Sequence, residues 1–144
     1  ALLDLAEEFP QKLEQTIIME TGGMKGKRKE MLKEEVHQIL KTAFLTTNIH
    51  SEYGMTELLS QSYSKGDNIF KSPPWKKMLI RDINDPLSII GNNKSGGINV
   101  IDLANIYSCS FIATQDLGKT FDDDSFSVLG RFTNSDVRGC NLLI

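Results

Sequence analysis

Apolar positions in the first part of the chain follow two different periods. Residues spaced three or four apart predict helices over residues 2–9 and 29–44, and the second helix has one apolar stripe with its charged residues off it. A dense apolar run at residues 16–19 and the segment 48–53 predict two strands, one before and one after the second helix. This strand–helix–strand order indicates a βαβ unit with a parallel sheet.

The pattern changes in the second half, where short apolar stretches alternate with turn-forming residues. The candidate strands cover residues 75–82, 97–103, 109–114 and 125–132. Residues 60–72, rich in Ser, Gly, Asp and Asn, are predicted to form a connector or mobile loop. The expected fold class is α/β. A βαβ layer with a partial parallel sheet occupies residues 1–72, and a small antiparallel β-subdomain occupies residues 73–144.

Length, charge and cysteine content narrow the function classes. At 144 residues the chain is one domain by length, and a net charge of −3 favours neither nucleic acid nor a membrane surface as a partner. No apolar run approaches the ~20 residues of a membrane span, and no signal peptide is visible. Cys109 and Cys140 are too few for a disulfide framework, although one bond between them stays open. A reduced, cytoplasmic setting fits best.

The stretch Tyr53-Gly54-Met55-Thr56-Glu57 contains the residue types that a nucleotide site needs. Tyr53 can stack on a base, and Gly54 lets the backbone approach the phosphates closely. Thr56 can donate a hydrogen bond to a phosphate oxygen, and Glu57 can bind Mg²⁺, which prefers oxygen ligands. The alternative is a strand-to-helix turn in which the glycine serves backbone geometry and the glutamate is simply exposed.

Three separate stretches together resemble the nucleotide-binding signatures of adenylate-forming enzymes, which activate a carboxylic acid with ATP as an acyl-AMP. They cover residues 52–57, 114–118 and 130–131. The resemblance implies that Asp116 binds the ribose, since a carboxylate can accept hydrogen bonds from two vicinal hydroxyls. It also implies that Arg131 contacts the same ribose. An ordinary acidic turn is the alternative for Asp116, and an ion pair with Asp116 is a compatible role for Arg131.

Other candidate positions carry weaker signals. Gly22-Gly23 resembles the glycine pair that flanks the adenine in these enzymes, although most such pairs are only turns. The Gly-Lys-Arg that follows has the wrong spacing and last residue for a P-loop, so a Walker-type NTPase is rejected. His37 and His50 have no Cys or second His at ligand spacing, which argues against a zinc site. Cys109 lies in a predicted strand and is expected in the core.

The end of the chain resembles a narrower family within this group, the acyl-protein synthetases (LuxE type). The resemblance is carried by residues 136–144, by Pro73-Pro74-Trp75 and by residues 102–105. In that family a near-terminal cysteine carries the acyl group as a thioester, which implies that Cys140 is the acyl acceptor. Arg138 could lower the pKa of its thiol. From composition alone, Cys140 is instead a buried structural cysteine.

The resemblance implies an ATP- and Mg²⁺-dependent enzyme that activates a fatty or other carboxylic acid and passes it to Cys140. The acyl group would then move on to a reductase or carrier-protein partner. The AMP–Mg²⁺ site would consist of Tyr53, Thr56, Glu57, Asp116 and Arg131. Residues 1–18 cannot supply the family's phosphate loop, so the chain is expected to be a C-terminal portion of a roughly twice-longer enzyme and inactive alone.

Two other functions remain open at the level of sequence. An aryl- or acyl-CoA ligase of the phenylacetate type shares the same nucleotide signatures, and in that case coenzyme A accepts the acyl group while Cys140 is inert. A non-catalytic interaction module would retain the fold and dock on a reductase or carrier protein. Replacement of Glu57 would then leave partner binding unchanged.

Overall fold

The computed structural model describes residues 1–22 and 31–132 of the chain. Within them, helices α1 and α2 cover Leu2–Glu8 and Lys33–Phe44, and a short 3-10 helix covers Leu103–Asn105. The strands, in chain order, are β1 (Met19–Glu20), β2 (His50–Tyr53), β3 (Ser62–Ser64), β4 (Ile69–Lys71), β5 (Lys76–Arg81), β6 (Ile89–Ile90), β7 (Ser95–Asp102), β8 (Phe111–Thr120) and β9 (Phe126–Arg131).

All nine of these strands belong to one sheet, in the order β1-β2-β3-β4-β9-β8-β7-β5-β6. β1 and β2 run parallel and are connected through α2, whereas the other neighbouring pairs are antiparallel. The predicted α/β class, with a parallel βαβ unit followed by antiparallel strands, is therefore confirmed. The pairing of β4 with β9 joins the early and late strands, and a domain boundary between residues 72 and 73 stays a prediction.

The two α-helices pack together on the parallel end of the sheet. Helix α2 begins where the Glu35 carboxylate accepts a hydrogen bond from the Leu32 amide at 3.2 Å, which satisfies one free N–H of the first turn. Its apolar stripe buries Leu40 and Phe44 completely. The buried residues of this core are Leu3, Ala6, Ile18, Leu40, Phe44 and Ile49. None of the helices in the described residues has the length and apolar character needed to cross a bilayer.

A second core lies under the antiparallel strands. Phe70 from β4 and Phe126 from β9 stack with ring centroids 5.4 Å apart, and Tyr53 meets Phe126 edge-on at 5.5 Å. Alternation with period two directs Met78 and Ile80 of β5 into the same core. Its buried members are Tyr53, Leu58, Phe70, Met78, Ile80, Ile98, Val100 and Phe126. This core joins the strands that carry the predicted nucleotide motifs.

The prediction of a loop over residues 60–72 is wrong, because β3 and β4 form a hairpin there and insert between β2 and β9. Ser62 and Ser64 are completely buried, and their hydroxyls find partners in Ser72 (2.9 Å) and the Gly66 carbonyl (2.6 Å). The hairpin turn uses Gly66 and the two following residues, all with positive φ. The small hydroxyl side chains of this hairpin thus fit into the sheet interior, although composition alone predicts a loop for the segment.

Three local predictions also need correction. Residues 16–18 are not a strand, and β1 begins only at Met19. Cys109 precedes β8 and is exposed, with its thiol donating to the Phe111 carbonyl at 3.3 Å, so it is not a core residue. The strand predicted at residues 109–114 begins at Phe111 and continues to Thr120. The longer β8 includes the whole Thr-x-Asp-x-Gly motif, which therefore lies in a strand and not in a turn.

Candidate functional site

Three residues from the three predicted motifs meet at one point of the sheet. The Tyr53 hydroxyl, at the end of β2, donates a hydrogen bond to Asp116 Oδ2 at 2.8 Å. Arg131 Nε lies 3.2 Å from Asp116 Oδ1, and the two residues are direct cross-strand partners on β9 and β8. One carboxylate thus joins motifs that are 63 and 15 residues away along the chain.

Tyr53 is bound through its hydroxyl while its ring lies in the core. Burial, together with the neighbouring Asp116 carboxylate, raises the pKa of the Tyr53 phenol, so the hydroxyl keeps its proton and acts as a donor. The ring has edge contacts with Phe70 and Phe126, and Lys76 Nζ lies 5.6 Å from its centroid. Only 9% of the residue is exposed, so the structure offers little ring surface, and stacking on a base stays a prediction.

The Thr-x-Asp-x-Gly motif is arranged around an irregularity in β8. The Thr114 hydroxyl donates to the Ile98 carbonyl at 3.0 Å and accepts from the Asp116 amide at 3.1 Å. The register of β8 against β9 shifts between Leu117 and Gly118. Such a bulge changes the direction of nearby side chains. Here Asp116 faces Tyr53 and Arg131, while Leu117 is buried.

The local structure requires the glycines of the two later motifs, Gly118 and Gly130. A Cβ at Gly118 would lie 2.6 Å from the Ser127 carbonyl oxygen and 2.6 Å from Ile98 Cδ1, so β8 and β9 pack too closely there for any side chain. Gly130 has φ 139°, a conformation that favours glycine, and it directly precedes Arg131. The two glycines therefore hold the backbone on which Asp116 and Arg131 face each other.

Thr56 and Glu57 lie in the turn that follows β2, and both are exposed. The turn is closed by a hydrogen bond from the Leu58 amide to the Met55 carbonyl at 3.0 Å. Within the part of the chain that the structure describes, neither the Thr56 nor the Glu57 side chain has a hydrogen-bond or ion-pair partner, and no cluster of three or more His, Cys, Asp or Glu could hold a metal. An exposed single carboxylate fits a Mg²⁺ held mainly by phosphate oxygens and water.

The site also fits a ribose diol. An ionised carboxylate has about four lone-pair positions, and Asp116 uses one on each oxygen for Tyr53 and Arg131. The carboxylate keeps further acceptor positions, and 14% of the Asp116 side chain is exposed. Half of the Arg131 side chain (51%) is exposed beside them, which leaves its other guanidinium nitrogens accessible.

The remaining predicted site residues are spread more widely. Gly54 is exposed, and a Cβ there would lie 3.1 Å from Gln61 Cγ. Gly22 has φ 75°, and its amide donates to the Glu20 carboxylate at 2.6 Å in the turn after β1. Gly23 and Cys140 lie outside the described residues, so their predicted roles stay predictions.

A buried polar network beside Tyr53 was missed at the level of sequence. Lys76 and Asp102 are cross-strand partners on β5 and β7, and they are 4% and 0% exposed. Ser60 lies between them, accepting from Lys76 Nζ and donating to Asp102. The signal was present: period-two alternation places Lys76 on the same face as Met78, and Asp102 on the same face as Val100.

Arg81 is a second residue that the sequence did not indicate. Its guanidinium donates to the Ile98 carbonyl at 2.9 Å, to Asn99 Oδ1 at 2.7 Å and to the Thr114 carbonyl at 2.5 Å. It lies across Gly97, where a Cβ would come within 2.6 Å of Arg81 Cζ. Arg81 thus ties β5 to β7 and to the start of the motif on β8.

Lys76 makes the stability of the chain depend on pH. Burial lowers the pKa of its ammonium from 10.5 to about 8, and Asp102 opposes this shift. Between pH 8 and 10 the folded chain has lost this proton while the unfolded chain keeps it, so unfolding takes up a proton. The free energy of unfolding is therefore expected to rise by about 2 kcal/mol over this window. Urea titrations at intervals of half a pH unit measure it.

The Lys76→Met variant is the control for this dependence. It removes the titrating group and keeps most of the side-chain volume, so the rise between pH 8 and 10 should disappear. Above pH 10 the wild-type curve should fall again, because the unfolded chain loses the Tyr53 proton there while the folded chain keeps it. A rise that persists in Lys76→Met would assign the effect to another group.

Comparison with known proteins gives structural matches. No protein-family model matches the chain, and no curated protein does. O-succinylbenzoate Coenzyme A Synthetase (MenE) from Bacillus subtilis, in complex with ATP and magnesium ion, matches with a TM-score of 0.58 and 22% identity over 90% of this chain and 30% of that chain. Apo MatB from Rhodopseudomonas palustris matches with a TM-score of 0.57 and 16% identity over 81% of this chain and 26% of that chain.

These matches establish the fold. The ATP-bound form of MatB also matches, with a TM-score of 0.51 and 17% identity over 67% of this chain and 23% of that chain. The chain spans less than a third of the length of the solved structures it matches. The expectation that it has the fold of part of an adenylate-forming enzyme is confirmed.

Proposed function

We propose that this chain forms part of the nucleotide site of an ATP-dependent ligase that activates a carboxylic acid as its acyl-AMP. The observation that carries the proposal is the cluster of Tyr53, Asp116 and Arg131, joined at 2.8 and 3.2 Å. Each of the three motifs predicted from the sequence to bind a nucleotide supplies one residue of this cluster. The fold shared with MenE, solved with ATP and magnesium ion, supports the same conclusion.

In the proposed reaction a substrate carboxylate oxygen bonds to the α-phosphorus of ATP, and the bond from that phosphorus to the β-phosphate oxygen breaks. Pyrophosphate leaves with the electron pair, and the acid becomes a mixed anhydride with AMP. Mg²⁺ would offset the charge that develops on the phosphates. Asp116 and Arg131 would orient the ribose, Thr56 would donate to a phosphate oxygen, and Glu57 would bind the metal.

We infer that the acyl group then passes to Cys140, as the resemblance to acyl-protein synthetases implies. The thiolate sulfur bonds to the acyl carbon, the bond from that carbon to the AMP oxygen breaks, and AMP leaves. The substrate class would be fatty or other carboxylic acids, and the thioester would be passed to a reductase or carrier protein. Coenzyme A is the alternative acceptor, because MenE is named as a Coenzyme A synthetase.

Intact mass spectrometry of the full-length protein tests this proposal. After incubation with ATP, Mg²⁺ and a panel of fatty acids, we expect one acyl adduct that requires ATP and is removed by neutral hydroxylamine. The adduct should be absent from Cys140→Ser. It should persist in Cys109→Ser, the matched control, because Cys109 is the other cysteine of the chain and is exposed.

The other outcomes separate the alternatives. If AMP is released only when coenzyme A is added and no protein adduct forms, the acyl acceptor is coenzyme A and not Cys140. If the full-length protein forms neither an adduct nor AMP with any acid, the ligase proposal fails and the non-catalytic module remains.

A further inference from the structure

Two segments that the nucleotide chemistry does not use converge on the turn that carries Thr56 and Glu57. One is the start of β5 with the preceding Trp75, and the other is the end of β7 with the 3-10 helix that follows it. Trp75 and residues 102–105 belong to the stretches that resemble the acyl-protein synthetases. Their contacts go to Glu57 within this turn and to Ser60, two residues after its closing hydrogen bond.

Asp102 binds Ser60, two residues beyond the turn. Its carboxylate accepts the Ser60 amide at 2.9 Å and the Ser60 hydroxyl at 2.8 Å, and it also accepts the Ala104 amide at 3.2 Å. These donors lower the pKa of the Asp102 carboxyl against the effect of burial, so it stays ionised in the core. Because charged acceptors form the stronger hydrogen bonds, a buried carboxylate is an effective anchor for a backbone amide.

Two further donors complete the hold on Ser60. Lys76 Nζ donates to its carbonyl at 2.8 Å, and Trp75 Nε1 donates to its hydroxyl at 2.9 Å. Ser60 is only 6% exposed, and its amide, carbonyl and hydroxyl all have partners. The chain is therefore fixed three residues after Glu57.

Asn105 binds the turn itself. Its Nδ2 donates to the backbone carbonyl of Glu57, and its Oδ1 accepts from the Ser108 hydroxyl at 2.6 Å, which sets the orientation of the amide. Asn105 is 4% exposed although the 3-10 helix it ends lies at the surface. Glu57 is thus held through its main chain, while its carboxylate stays exposed and without a partner in the described residues.

We propose that Asp102 and Asn105 are positioning residues that hold the main chain of Glu57 in place for Mg²⁺. This role rests on the proposed function, since it assigns the purpose of the turn to Mg·ATP. The physical reason is preorganisation: a carboxylate on a fixed backbone loses less freedom when it binds a metal. Neither residue touches nucleotide or metal in this role.

Amide hydrogen exchange tests the structural half of the proposal without any ligand. In Asp102→Asn the Ser60 amide loses its charged acceptor, and we expect its exchange to accelerate by at least about tenfold. Asp82→Asn is the matched control, because Asp82 accepts turn amides of Asn84 and Asp85 at the end of β5. It should leave the exchange of Ser60 unchanged. Unchanged exchange in Asp102→Asn would overturn the proposal.

Equilibrium binding of ATP to the full-length protein, with and without Mg²⁺, tests the functional half. We expect Asp102→Asn and Asn105→Ala each to weaken binding of Mg·ATP about tenfold, as the loss of one charge-assisted contact does. Binding of ATP without Mg²⁺ should change less than twofold. In a Glu57→Gln background, the same substitutions should add less than twofold, because the group they position is already gone.

Other results separate the possible failures. Equal weakening with and without Mg²⁺, or full additivity with Glu57→Gln, would make Asp102 and Asn105 merely structural and overturn their positioning role. If the wild-type protein does not bind Mg·ATP at all, the proposed function and the positioning role both fail. The exchange rates would still decide whether these residues hold the turn.

Discussion

Replacing Asp116 with alanine is expected to weaken ATP binding by about 100-fold, which corresponds to about 2.7 kcal/mol. The carboxylate would accept two ribose hydroxyls, and each hydrogen bond to a charged group contributes about 1.5–3 kcal/mol. Asp116 also holds Arg131 through the 3.2 Å ion pair, so the arginine loses its fixed position. Calorimetric titration of the full-length protein with ATP measures the effect.

The control for this result is Asp122→Ala. Asp122 is an exposed aspartate in the turn after β8, and its carboxylate accepts hydrogen bonds only from Asn92 and Asn93 in the described residues. ATP binding should be unchanged. A folded Asp116→Ala protein that binds ATP within twofold of wild type would remove Asp116 from the nucleotide site and leave only its contacts with Tyr53 and Arg131.

The largest loss of stability is expected from Gly118→Ala, at about 3 kcal/mol. The added methyl would lie 2.6 Å from both the Ser127 carbonyl oxygen and Ile98 Cδ1. The carbonyl belongs to the β8–β9 ladder, so it cannot move away without breaking the pairing that holds Asp116 opposite Arg131. Urea unfolding measures the free energy, and ATP affinity should fall as well.

Gly91→Ala provides the matched substitution. No atom lies within 4 Å of a Cβ at Gly91, and its φ is outside the left-handed region. The change should therefore be neutral or stabilise the chain by a few tenths of a kcal/mol, because alanine restricts the unfolded chain more than glycine does. If both substitutions cost the same, close packing of β8 against β9 is not the reason for Gly118.

Elements with a strong local pattern are those that the sequence predicts well. The apolar stripe of α2 follows one period along the helix, and the apolar stretches of β5 and β7 stand between turn-forming residues. All three elements lie close to their predicted bounds. The hairpin of β3 and β4 has no such pattern, because its strands are only three residues long and β3 is serine-rich. Its place between β2 and β9 depends on partners far away along the chain.

The candidate site was likewise predictable from the sequence only in part. The residue types and order of the three motifs predicted a nucleotide site, and the structure brings Tyr53, Asp116 and Arg131 together. The sequence did not predict that the Tyr53 ring is enclosed, since its neighbours Phe70 and Phe126 come from two other strands. Its role on the adenine is therefore still a prediction.

By itself, the sequence determined the α/β order of elements and the chemical groups available to a nucleotide, since periodicity and residue type are local properties. Only the tertiary structure decided that Asp102 contacts Ser60 and Asn105 contacts Glu57, across 42 and 48 residues of chain. Contacts over such separations follow from strand order and register, which no short stretch of residues encodes. The physical reason is that a buried polar side chain requires partners, and the whole sheet determines which partners are within reach.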